Sequence, residues 1–350
     1  MKKYLFISFI VISCSQKTNN INEYIQTPDE FTKAFDDFEV YTINSETIEL
    51  NNFNEVKFQS FSRLKFVDNF LIVHDFPGED YVMKTINLET KEIRDFLKKG
   101  KGPNEVTSII PPFSIDKKNK KVYVANGNTH YVYDVDSLKK GGDIPESTFN
   151  ISLPDGRLRF STYANDGYIL GALDNKRFGI FNINNEKLLS KYEYSGGLLV
   201  EQGSFLNHPS EMKAVYLQNY SAAMALLEYS SNDIEMQENI WWKTNNKQEK
   251  LSNGNLSIVA GPNQRLGFLD STVSDKYIYT LYSGKPIGYG DKLAYLSKTV
   301  FVFNWDGEPV KTYILDKNVH SIAYDENLNI LYAGAEDDNG ELSLVKYELK

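Results

Sequence analysis

The side chains that most often do chemistry are few and scattered in this 350-residue chain. Its four histidines, His74, His130, His208 and His320, lie at no metal-ligand spacing, and one cysteine, Cys14, is too few for a structural Cys/His zinc site. Each histidine therefore reads as a turn or strand residue, and neither a metal nor another cofactor is expected. Asp337-Asp338-Asn339-Gly340-Glu341 is rich in oxygen ligands but lacks the alternation of a calcium loop, and a hairpin turn is needed there. Ser, His and Asp all occur, without a Gly-x-Ser-x-Gly elbow to present a nucleophile. Gly100-Lys101-Gly102-Pro103-Asn104-Glu105 has glycines but neither the Gly-Lys-Ser/Thr ending nor the following helix of a phosphate loop. Those glycines are expected to supply positive φ in a connection. No catalytic constellation emerges.

The amino terminus carries a pattern of another kind. Lys2 and Lys3 precede a short apolar run, Tyr4 to Ile12, which ends at Ser13-Cys14. That run is a leader rather than a membrane span, which needs about 20 residues. Val11-Ile12-Ser13-Cys14 resembles the lipobox of bacterial lipoproteins, which implies that residues 1–13 are removed and that Cys14 is acylated. Several acyl chains on one residue give stable anchoring, so the expected address is the cell envelope, on the periplasmic or surface face of the outer membrane. Residues 14–37 then read as a polar, lipidated tether with a short helix near Pro28 to Phe35, and residues 38–350 as the folded body.

Composition bounds that body. Hydrophobic content of 41% with 24% charged residues is globular rather than disordered. The 23 tyrosines and 21 phenylalanines lean toward β structure. A formal charge of −9 without a basic patch excludes nucleic acid as a partner. A lone thiol makes no internal disulfide, so the fold must be held by its core.

A repeat organises the rest. At Ile115 to Val135 an Asp-Lys-Lys-Asn-Lys turn leads into the strand Lys121 to Ala125, a polar turn, and the alternating strand His130 to Val135. The same grammar returns at Leu64 to Leu88, Tyr163 to Ile183, Val273 to Trp305 and Ile322 to Tyr347. Anchors at Ile72, Val122, Ile169, Ile278 and Ile330 are spaced by 50, 47, 109 and 52 residues. The double gap requires one degenerate unit between Leu199 and Leu251, with strands at Met224 to Tyr229 and Ile234 to Gln237, although Pro209 to Tyr229 reads as helix by propensity alone. Gly102-Pro103-Asn104 and Gly261-Pro262-Asn263 echo one another between units. Six such units predict an all-β chain, a six-bladed β-propeller of four-stranded blades. The last unit shows three strands, and the alternating Phe38 to Ile43 is expected to close it as the N-terminal fourth.

Gly100-Lys101-Gly102-Pro103-Asn104-Glu105 resembles the Gly-x-Gly-Pro-x-Glu element of bacterial six-bladed TolB-like propeller lipoproteins. The stretch from Val300 through Trp305-Asp306-Gly307 to Tyr347 is similar to that family as well, and the likeness runs from about Phe38 to Lys350 and includes the leader. Asn104 departs from it, since a small residue is usual there, and so does the poorly marked fourth unit. The resemblance implies fold and address more than activity.

In a propeller the residues that begin each inner strand line the mouth of the channel. Here these are Arg63, Arg159 and His320, with Lys101, Asn104 and Glu105 on a nearby loop. Cations there suit an anionic or sugar ligand, with surface salt-bridging as the favoured alternative, and Trp241-Trp242 could stack on a sugar ring unless strand alternation buries one of them. Two functions follow. The first is a non-enzymatic, membrane-anchored binding module for a protein or a small molecule such as a glycan. The second is a carbohydrate-active or lyase-type enzyme with its site in the channel.

Overall fold

The computed structural model describes residues 28–350, except 54–55, 57, 108–112, 152–157, 165–166, 174–176, 185–186, 194–201, 231–232, 244–246, 251–255, 260–263 and 288–291. The leader, Cys14 and Gly261-Pro262-Asn263 lie outside the described residues.

Period-2 alternation becomes antiparallel four-stranded sheets. The first is Arg63–Val67, Phe70–His74, Tyr81–Asn87 and Ile93–Lys98, and the second is Phe113–Asp116, Lys121–Asn126, Thr129–Asp134 and Ser147–Asn150. Asp68 and Asn69 both take left-handed φ, 47 and 66, in the two-residue turn that opens the first sheet, as a primed hairpin turn requires. The third is Leu158–Ala164, Tyr168–Leu173, Arg177–Asn182 and Lys187–Glu193; the fourth is Gly203–Asn207, Lys213–Gln218, Ser221–Tyr229 and Ile234–Lys243.

An eight-stranded sheet holds the rest, and it is two blades joined by one 17-residue strand, Pro309–Asp325. Up to Leu315 that strand pairs with Ser297–Asn304, completing a fifth blade with Phe268–Val273 and Tyr277–Tyr282. From Val319 onward it pairs mainly with Ile330–Glu336 and starts a sixth, which continues through Leu342–Glu348. The six inner strands touch in cyclic order, with the sixth meeting the first. The expected propeller of four-stranded blades is what forms.

Apolar layers lie between blades rather than within one. Val67, Ile72 and Phe96 of the first blade share a cluster with Val122, Val124 and Tyr133 of the second. In the fourth blade Ala222, Met224 and Leu226 join the layer toward the fifth, while Ala223, Ala225 and Leu227 join the opposite layer. Burial on both faces at period two overrides the helical propensity of Ser221–Tyr229. The degenerate unit is thus a full blade.

Side chains stitch successive inner strands together. Ser114 Oγ accepts from Tyr163 N at 2.7 Å, Asp270 Oδ2 from Ile322 N at 3.0 Å, and Thr272 Oγ1 from Tyr324 N at 3.2 Å. Inner-strand N–H groups that no neighbouring strand can reach are satisfied by the blade before.

The amino-terminal segment differs from expectation. Glu39–Ile43 does not close the last blade; it runs parallel along Lys311 to Leu315, on the outer edge of the fifth. Glu46–Thr47 pairs with Val345 and Lys346 and supplies the closing strand. Alternation marked a strand but not its edge, and the two edges lie side by side in the ring. The body also starts before Phe38, because the helix Pro28–Lys33 docks on the fourth and fifth blades. Phe31 is fully buried there, with ring centroids 4.4 Å from Tyr282, 4.8 Å from Phe301 and 5.1 Å from Trp241. Phe35, one turn on, is 4.3 Å from Phe301. Replacing Phe31 by Ala removes this plug, and chemical denaturation should register a loss of about 3–5 kcal/mol; a change under about 1 kcal/mol would mean the helix is not part of the folded unit.

Candidate functional site

The centre of the ring is polar, because inner-strand residues face it from every side. Arg63 and Lys65 alternate on one face of the first inner strand, with Leu64 buried on the other. The Arg63 guanidinium reaches across to Ser204 Oγ on the fourth blade, and Lys65 Nζ donates to the Ser271 carbonyl on the fifth at 3.1 Å. The two cations cross the channel from wall to wall.

Asp270 answers them. It is 2% exposed, and no hydrogen-bond partner reaches its Oδ1 among the described residues. Burial pushes its carboxyl pKa up, against the pull of Lys65 and Arg63. Burial also lowers the Lys65 ammonium from 10.5 to about 8, with Asp270 opposing that fall. The charged forms are costly on both sides.

Beyond Lys65, where the inner strands end, lies a cavity of about 80 Å³ lined by Asp116, Lys117, Tyr163, His208 and Thr272 among others. It has room for a few waters or a small ion, since one water needs roughly 10–15 Å³. Burial lowers the pKa of Lys117, partly offset by Glu326, Asp325 and Asp275 from the neighbouring turns. Asp116 is occupied by Asn119, whose N and Nδ2 donate at 2.9 and 2.7 Å. His208 Nδ1 accepts from Ser210 N and Glu211 N, at 3.1 and 3.0 Å, so Nε2 carries the proton and donates to the Asp275 carbonyl at 3.0 Å. That histidine caps a turn. His130 is stacked on Phe149 at 5.0 Å, and burial lowers its pKa to about 4.

The residues expected at the opposite mouth do not gather. His320 sits at a break in strand register between Val319 and Ser321, which turns it out of the ladder, and its Nε2 lies 2.6 Å from Glu336 Oε2. The backbone of Arg159 enters the third inner strand beside a similar register shift, and its side chain lies outside the described residues. Glu105 folds onto its own loop, accepting from Gly102 N at 2.7 Å with Lys98 Nζ at 3.7 Å. Lys101 and Asn104 are exposed on that loop. Gly100 and Gly102 serve a different purpose from the one expected. Neither has positive φ; a Cβ on Gly100 would stand 1.9 Å from the Glu105 carboxylate, so the glycines make room for that charge. Asn104 supplies the left-handed turn, φ 60, a conformation asparagine tolerates. Trp242 is buried and donates to Tyr282 Oη at 2.8 Å, while Trp241 packs on Phe31 and Phe303, so the pair is spent on the core.

Lys65, Lys117 and Asp270 are the central residues that sequence reasoning missed. Lys65, two positions after Arg63 on the same strand face, was the available signal.

A ring of six blades stitched at its inner strands can be set against known proteins. The family model described as TolB-like 6-blade propeller-like matches residues 34–327. The chain belongs to this family. Among solved structures, this TolB-like propeller is similar to a member of the duf4221 family from Bacteroides vulgatus. The TM-score is 0.54 at 11% identity, over 87% of this chain and 98% of that one. It is also similar to the RRP9 WD40 repeats, with a TM-score of 0.51 at 9% identity over 87% and 97%. These likenesses show the fold. No curated protein matches the chain.

The Lys65 ammonium gives the TolB-like propeller a pH signature. Between pH 8 and 10.5 the unfolded chain still holds the Lys65 proton while the folded chain has released it, so stability rises with pH through that window. Relative to Lys65→Met, the wild type should gain up to roughly 3 kcal/mol between those limits in denaturation series. Parallel pH profiles for the two proteins would mean the ammonium is solvated.

Proposed function

We propose that this chain is a lipid-anchored interaction module, held to an envelope membrane through Cys14 and docking a partner without chemistry of its own. The single observation that carries the binding reading is how Arg63 and Lys65 are used. Each bonds to an opposite wall of the channel, and the space beyond Lys65 is about 80 Å³. That is below the roughly 300 Å³ at which ligand pockets begin. A sugar ring or a peptide side chain would enter the middle only by breaking those bonds. Recognition therefore falls to the loop faces and the rim, which the rigid ring presents as fixed surfaces. The anchor is supported by the leader, by Cys14 at its end and by the polar stretch that follows.

The anchor is tested by Cys14→Ser in the producing cell. Palmitate labelling should disappear and the protein should leave the membrane fraction; continued labelling refutes the anchor. The binding reading is tested by cross-linking the membrane-held protein and identifying what it joins. A defined, saturable adduct supports it, and recovery of uncombined protein alone would overturn it.

A further inference from the structure

A second concavity opens on the same face as the channel cavity, further out. Strand direction alternates within each blade, so Lys213, which opens the second strand of the fourth blade, Ile234, which opens its last strand, and the Trp305-Asp306-Gly307 turn all lie on the face where inner strands end. Together they frame a groove of about 300 Å³ between the fourth and fifth blades. Leu226, Met236 and Trp305 give it apolar walls, and Glu228, Glu235 and Asp306 line it with exposed carboxylates. Its one cation, Lys213, is already paired with Glu211 at 2.8 Å and Glu228 at 3.7 Å. Glu235 and Asp306 have no ion pair among the described residues.

The indole of Trp305 is held rigidly. Its Nε1 donates to the Ser274 carbonyl at 3.1 Å, and its ring lies 4.6 Å from that of His208, itself fixed in its turn. A fixed indole beside exposed carboxylates in excess over the one lysine complements a cation on an apolar stem: the ring face attracts the charge and the carboxylates accept its N–H groups. The volume fits one long side chain with the backbone around it. In the turns nearest the groove Glu211, Asp275 and Glu326 outnumber Lys276, a net negative charge that would steer a positive partner toward it.

We propose that this groove docks a basic segment of a partner protein, with an arginine or lysine laid over Trp305 and its charge between Glu235 and Asp306. The proposal rests on the reading of the chain as an interaction module and names the chemistry of the partner. The test uses the folded protein and the peptide acetyl-Arg-Leu-Arg-amide, read by NMR at the Trp305 indole N–H, assigned through Trp305→Phe. A saturable shift is expected, with acetyl-Glu-Leu-Glu-amide giving none. Glu235→Gln with Asp306→Asn should weaken binding about five-fold or more, and raising salt from about 50 to about 300 mM should weaken it too. Both substitutions are at exposed positions, and an unchanged melting temperature verifies the fold. No saturable shift, equal binding by the double variant, or equal binding of spermidine, which would show a bare cation to suffice, overturns the proposal. The cross-linking experiment separates this groove from the broader reading. A defined adduct that forms equally well in the double variant leaves the module standing and removes the groove. Peptide binding without any adduct in membranes keeps the groove and removes the module.

Discussion

Each blade of this protein is apolar on both faces, and a four-stranded sheet of that kind cannot end against water. Every face must find another sheet, and the answer is a ring in which the last blade meets the first. Burying a leucine or phenylalanine side chain contributes about 1.5–3 kcal/mol, while a net hydrogen bond contributes about 0.5–1.5 kcal/mol. The interblade layers therefore carry the stability. The stitches from Ser114, Asp270 and Thr272 fix how far each blade slides past the next. The clusters follow this division, one layer per pair of neighbours, with Ala222 to Leu227 alternating between two of them.

Closing the ring also decides what its middle can be. Inner strands converge on an axis that apolar side chains do not fill, and this chain puts Arg63, Lys65 and Asp270 there. Charges so placed are costly, as the upward shift at Asp270 and the downward shift at Lys65 indicate. Their use is geometric: two long side chains tie the first blade to the fourth and fifth across the opening.

The amino-terminal strap links that ring to what precedes it. The segment seats Phe31 and Phe35 between the fourth and fifth blades, runs along the fifth, supplies the edge strand of the sixth and then enters the first. This one segment thus spans the seam of the ring. Displacing Phe31 would expose several aromatic rings at once.

The sequence by itself determined the number and order of the blades. Strand alternation and turn residues are local; they recur every 47 to 52 residues where the units are well marked, and the gap of 109 residues counts the degenerate one. It also placed Arg63 and His320 on inner strands, and it identified the Gly100 to Glu105 loop. What those residues meet was decided by the tertiary structure alone. Arg63 finds Ser204, 141 positions away, and Lys65 finds Ser271, 206 away. Glu105 turned inward so that two glycines became its seat, and Glu39–Ile43 took a different edge from the one its pattern allowed. A period-2 pattern records which side of a strand is apolar; it holds no record of which distant strand will lie beside it, because that depends on closure of the whole ring.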